Sequence, residues 1–152
     1  MTVLTRRSLL GAAPVALAGA ALVSRPSAAH ALDVSGGTLV LVEPFRLLDS
    51  RVDPGAKYAT GDTATVPVPD LSTVHGVVLN ATVTDTEGAG FLRVANKVVL
   101  PAPTSNVNWW GAGQTLANLA IVRTVAGASS ITLQFAGDGK THVVIDVIGY
   151  IS

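Results

Sequence analysis

Beyond residue 35 the chain alternates between apolar and polar positions. In residues 76–85, Val77, Leu79, Ala81 and Val83 share one face, while Val78, Asn80, Thr82 and Thr84 share the other. That two-residue period predicts a strand with its uniformly apolar face in a core. Residues 130–135, Ser-Ile-Thr-Leu-Gln-Phe, alternate in the same way. Residues 143–148, Val-Val-Ile-Asp-Val-Ile, are almost continuously apolar, which predicts a central strand covered on both faces. Residues 38–43 predict a first strand that Pro44 interrupts, followed by a short strand or corner over 45–51. Residues 63–68 contain Pro67, with Pro69 just beyond, and predict an edge strand because proline donates no ladder hydrogen bond.

Between these runs stand turn signals. Asp53-Pro54-Gly55 combines a preset φ with a glycine that tolerates positive φ. Residues 86–90 predict a hairpin into a strand over 91–95, and 111–115, 127–129 and 137–140 predict further reversals. No helical period of useful length follows the first thirty or so residues. About eight strands at roughly ten-residue spacing predict an all-β fold, an antiparallel β-sandwich.

The first residues follow a different pattern. Thr5-Arg6-Arg7-Ser8-Leu9-Leu10 resembles the twin-arginine export motif, and an apolar stretch over 9–23 follows it. The stretch is too short and wrongly flanked for a membrane span, and Ala29-His30-Ala31 forms a small-x-small cleavage site. Residues 1–31 are therefore expected to form a signal-peptide helix, with Arg6, Arg7, Ala29 and Ala31 as its signal residues. Residues 32–152 are expected to form one domain, exported by the twin-arginine route and either secreted or held at the cell envelope. No stable membrane span is expected once the signal is removed.

Composition then narrows the function classes. Residues 32–152 hold seven of the ten Lys and Arg and all ten Asp and Glu, a net charge of −3. A nucleic-acid partner would call for a basic stripe instead. The chain has no cysteine, so its stability rests on an apolar core, and a domain of this size buries roughly two thirds of its unfolded surface.

Candidate chemistry concentrates in residues 104–122, which hold both tryptophans, Asn106, Asn108, Asn118 and a Gly-Ala-Gly-Gln turn ending at Gln114. Neighbouring strand residues point to opposite faces. Of Trp109 and Trp110, one indole can therefore enter the core while the other forms a stacking platform for a sugar ring or an anchor for a protein partner. Trp109, Trp110, Gln114 and Asn108 are the candidate ligand-binding residues, and the alternative is that both indoles pack or one caps a sheet edge. Asn80, Asn106 and Asn118, with Asp49, Arg51 and Asp146, form a candidate structural polar network; Asp49, Arg51 and Asp146 are expected to close one end of the sandwich by ion pairing. A sugar-binding or calcium role for the asparagines stays open beside that reading.

Catalytic patterns are absent from the sequence. The histidines beyond the signal, His75 and His142, stand in no metal-binding spacing. His142 and Asp146 would lie about 13 Å apart along one strand face, no Gly-x-Ser-x-Gly elbow occurs, and no spacing implies two carboxyls on one cleft. No enzymatic activity, cofactor or metal is expected.

Six blocks fall in a familiar order: Phe45-Arg-Leu-Leu-Asp-Ser-Arg51, Val78-Leu-Asn-Ala-Thr-Val-Thr84, Gly90-Phe-Leu-Arg-Val94, Ser105-Asn-Val-Asn-Trp109, Gly113-Gln-Thr-Leu-Ala-Asn-Leu119 and the His142-to-Tyr150 stretch. Over residues 45–152 the chain resembles the repeat module of secreted actinobacterial proteins, which is commonly joined to hydrolases or cell-wall enzymes. Two features depart from that pattern: Ala95-Asn96-Lys97 replaces a Tyr-Pro-Ala-Gly type turn, and Trp109-Trp110 replaces a single aromatic. The export signal, the absence of catalytic motifs and this resemblance together lead to the expectation of an exported non-catalytic module for binding or adhesion at the envelope, with cell-wall polysaccharide or another envelope protein as partner. A self-associating structural protein, of surface-layer or phage-tail type, is the alternative; a small hydrolase ranks behind both.

Overall fold

The computed structural model describes residues 37–125 and 127–152. The expected signal helix, with Arg6, Arg7, Ala29 and Ala31, lies outside the described residues. Nine strands follow in order: β1 (Leu39–Asp49), β2 (Tyr58–Ala59), β3 (Thr63–Pro67), β4 (Gly76–Glu87), β5 (Gly90–Ala95), β6 (Val107–Trp109), β7 (Leu116–Arg123), β8 (Ser130–Gly137) and β9 (Lys140–Ile151). They form two antiparallel sheets, a β-sandwich. The first sheet runs β1-β9-β4-β7, with the short β2 also on β9; the second runs β3-β8-β5-β6.

The core lies between the sheets and follows the alternation. Val77, Leu79, Ala81 and Val83 of β4 are fully buried, as are Val143, Ile145 and Val147 of β9, Leu92 of β5, and Ile131 and Leu133 of β8. β9 is central, hydrogen-bonded to β1 and β4, and β3 is an edge strand carrying Pro67. A row of valine, isoleucine and leucine on facing sheets removes apolar surface from water at about 25 cal/mol per Å². This interlayer is the main source of stability in a chain without cysteine.

Two local expectations are corrected. Pro44 does not end the first strand: β1 continues through it to Asp49, and register shifts between Leu41 and Phe45 absorb the missing donor. Residues 86–90 are not a hairpin, because β4 belongs to the first sheet and β5 to the second. The 137–140 turn likewise carries the chain between sheets, from β8 to β9. These two crossings pack on each other at one end of the sandwich, which is possible only without side chains. A Cβ on Gly137 would stand 2.7 Å from the Ala89 carbonyl oxygen, and one on Gly90 would strike the Trp109 ring and stand 2.8 Å from the Ala136 oxygen.

β8 is buried on both faces although its sequence alternates. Its outward Gln134 is 2 % exposed because the segment before β6 lies over it. Gln134 Oε1 accepts from the Val99 amide at 3.3 Å, and its Nε2 donates to the Val99 carbonyl at 3.1 Å. A side-chain amide meeting a backbone amide edge to edge holds this strap to the sheet.

Candidate functional site

β6 and β7 are the edge strands of the two sheets on the same side of the sandwich. Alternation in β6 sends Val107 and Trp109 inward and leaves Asn108 exposed between them. Trp109 is 3 % exposed and belongs to the core. Trp110, one residue later and just past the strand, is 73 % exposed. The sequence pair thus divides as adjacent strand positions should.

The turn after Trp110 is fixed from within and from below. Gln114 Oε1 accepts from the backbone N–H groups of Trp110 at 2.8 Å and Gly111 at 3.1 Å. Beneath it, the buried Thr86 hydroxyl donates to the Gly111 carbonyl at 2.6 Å and accepts from the Gln114 amide at 2.9 Å. Gly113, at φ 71, donates its amide to the Thr86 carbonyl at 2.7 Å. The turn therefore presents the Trp110 indole to solvent from a rigid base, which lowers the entropy lost when a ligand stacks on it.

Beside Trp110 lies an open depression of about 290 Å³, lined by Asn106, Val107, Asn108, Trp110, Leu116, Ala117 and Asn118. Asn118 Nδ2 donates to the Asn106 carbonyl at 2.9 Å, and Asn106 Oδ1 accepts from the Val94 amide at 2.7 Å. The Asn106 Nδ2, the Asn118 Oδ1 and both polar atoms of Asn108 have no hydrogen-bond partner among the described residues. The groove thus offers amide donors and acceptors next to an indole, and no ionised side chain lines it.

The candidate ligand set is accordingly redrawn. Trp110 and Asn108 face the groove, while Trp109 is sealed in the core and Gln114 spends its oxygen on its own turn. Asn106 and Asn118, read from the sequence as structural, both line the groove as well as bonding to the fold. Sequence reading passed over Leu116 and Ala117, because nothing in their local pattern says that β7 would lie beside β6.

The expected polar network is also corrected. Asp49 and Arg51 pair at 2.6 Å, but Asp146 pairs with Arg46, which also bonds Asp49 at 2.8 Å. Arg46 is the missing link, placed opposite Asp146 by the β1–β9 register. The cluster lies on the outer face of the first sheet rather than closing an end, since Asp146 alternates with the inward Ile145 and Val147. Asn80 stands opposite Asp146 in register but shares no hydrogen bond with it. Arg51 beside Asp49 holds its carboxyl well below the usual carboxylate range, through a side-chain hydrogen bond first of all.

Two further groupings resemble catalytic parts, and neither has the geometry for catalysis. Ser50 Oγ lies 3.1 Å from His142 Nδ1, a hydroxyl–imidazole contact no sequence motif announced. Ser50 is fully buried and its oxygen accepts from the Val143 amide at 2.9 Å; it joins the end of β1 to β9 and has no access to a substrate carbonyl. Asp85 and Glu87 both pair with Lys57, at 2.8 and 2.7 Å. The lysine lowers the pKa of each carboxyl by hydrogen bonding, the opposite of the raised value a general acid requires.

Among the described residues no cluster of His, Asp or Glu has a metal-holding arrangement, and no helix is long and apolar enough to cross a membrane. No family model matches the chain, and none of the curated proteins does.

Proposed function

We propose that this chain is an exported, non-catalytic binding module that holds a neutral glycan of the cell envelope in the groove beside Trp110. The observation that carries the reading is the 73 % exposed Trp110 indole on a hydrogen-bonded turn. Next to it stands a groove lined by three asparagines and no charged residue. An apolar ring stacks on the C–H face of a sugar, while amides donate to and accept from hydroxyls without the desolvation cost of an ion. The twin-arginine-like segment at Arg6 and Arg7 supports export, and the resemblance to a module joined to cell-wall enzymes supports an envelope ligand.

Co-sedimentation with purified cell-wall polysaccharide, followed by a Trp fluorescence titration with soluble fragments, tests the reading. Binding with a change in Trp110 emission is expected, weakened at least about tenfold by Trp110→Ala, the scale of one aromatic anchor. Absence of binding by the wild-type chain, with Trp110→Ala also silent, would sink it.

A second reading, self-association, is favoured by a different surface. The register aligns Leu41, Gly149, Val78 and Ile121 across the outer face of the first sheet. Leu41 is 71 % and Ile121 60 % exposed, with Leu39 and Leu119 also open to solvent. Exposed apolar side chains at both margins of this face, with the buried Val78 between them, are what a second copy would cover. Light scattering coupled to size-exclusion chromatography separates the readings: a strict monomer at high concentration counts against assembly and leaves the glycan reading intact.

A further inference from the structure

Arg93 stands on β5, on the outer face of the second sheet, and is only 9 % exposed. No Asp or Glu lies within ion-pair distance of it among the described residues. Its acceptors are all neutral. Nη1 donates to the Lys97 carbonyl at 3.0 Å and to Gln134 Oε1, and Nε reaches Thr104 Oγ1 at the long distance of 3.4 Å. Nη2 has no protein acceptor among the described residues, and it is not among the fully buried unpaired atoms there.

A cation nine-tenths buried without a counter-charge is an unfavourable arrangement for folding alone, since its desolvation is offset only by neutral dipoles. Arg93 shares the pinning of the strap over β8 with Gln134, which grips Val99 with both ends of its amide, and a neutral donor would serve the Lys97 carbonyl as well. What the arrangement does achieve is a fixed guanidinium whose Nε–Nη2 edge has one weak bond and one nitrogen without a protein acceptor among the described residues. That edge presents two parallel N–H groups, the geometry that matches the two oxygens of a carboxylate. The Thr104 hydroxyl beside Nε can turn to donate to the same anion. Lys97, exposed on the strap and in no ion pair among the described residues, adds positive potential at the entrance.

We infer that Arg93, with Thr104, forms a binding site for a carboxylate group, separate from the groove beside Trp110. The ligand is the acid group of a small molecule, either a sugar acid or the free end of a peptide. Its seat is the Nε–Nη2 edge of Arg93 under the strap. Recognition is by a charge-assisted fork rather than by stacking, so the site works whether or not the glycan groove does.

The test is a ¹H–¹⁵N NMR titration of the intact folded domain that follows the Arg93 Nε–Hε signal and the Lys97 and Thr104 amides. The ligands are acetate, glucuronate and acetylglycine, at constant ionic strength against chloride. Saturable shifts confined to these signals are expected with acetate, and about tenfold weaker affinity in Thr104→Val, the loss of one charge-assisted hydrogen bond. Tighter binding of glucuronate than of acetylglycine assigns a sugar acid, and the reverse order a peptide end. Arg93→Gln removes a strap anchor and can unfold the segment, so the surface variant Thr104→Val carries the decision. Shifts no larger than those of chloride, or an acetate response unchanged in Thr104→Val, would overturn the proposal.

Discussion

Asn118 Nδ2 donates to the backbone carbonyl of Asn106 at 2.9 Å and thereby ties the edge of one sheet to the edge of the other. Both residues line the groove beside Trp110, with Asn106 held in turn by the Val94 amide on β5. Fold and candidate site share this contact. Asn118→Ala is expected to lower unfolding free energy by about 1 kcal/mol, the net worth of one such bond, and to weaken glycan binding together with stability. Urea denaturation and the fluorescence titration, run on the same variant, check both; a destabilisation with unchanged binding would assign Asn118 to the fold alone.

The Trp109 indole lies against Gly90 and Gly139, where the two inter-sheet crossings meet. A methyl group on Gly90 has no space, since it would meet both the ring and the Ala136 carbonyl oxygen at 2.8 Å. Gly90→Ala should cost about 1–3 kcal/mol by overpacking, seen as a lowered Tm and an altered near-UV signal from Trp109. Trp110→Ala, at an exposed position, should stay within about 0.5 kcal/mol of the wild type. Equal losses for the two variants would contradict the division of the indoles between core and surface.

Ser50→Ala removes the acceptor of the Val143 amide, a bond of 2.9 Å in the interior between β1 and β9. A buried N–H left without a partner costs about 1–3 kcal/mol. Thermal unfolding should register that loss, and hydrogen exchange at the Val143 amide should accelerate. Ester turnover by the wild type that vanishes in Ser50→Ala while stability holds would instead revive a hydrolase.

Asp49 carries the acid sensitivity of the outer ion cluster. Its folded-state pKa is lowered, chiefly by the Arg51 hydrogen bond and further by the charges of Arg51 and Arg46. The stabilising contribution is therefore fully present above the unfolded carboxylate value of about 3.9 and is lost as pH falls below it toward the folded value. Asp49→Asn should be less stable than wild type at neutral pH, and the gap should narrow below about pH 4. Urea midpoints across that range check the sign, and added salt should shrink the difference because the pairs are solvent-facing.

Much of this architecture was legible in the residues themselves, because alternation is a local property. The apolar face of β4, the edge position of β3 and the central place of β9 each follow from which side chains recur every second residue. The same rule allowed one of Trp109 and Trp110 into the core without saying which, and only the fold divided them. Other features depend on pairing between distant segments. Whether residues 86–90 close a hairpin or cross between sheets is decided by the packing of Gly90 against Gly137 and Trp109, residues far apart in sequence. Arg46, not Arg51, meets Asp146 because a register shift in β1 sets them opposite each other.

By itself, then, the sequence determined an all-β sandwich without cysteine and the face of β4 that enters the core, since burial of alternate side chains needs only the local period. It also marked residues 104–122 as the place where an indole and several amides come together. Tertiary structure decided which of those groups are free to act. Trp109 was taken into the core by the glycines of two crossings, Gln114 was claimed by its own turn, and β7 was brought against β6 to make the groove beside Trp110. The fold likewise left Arg93 buried beneath its strap with only neutral acceptors among the described residues. Such outcomes are set by contacts between segments distant in the chain, which no local period encodes.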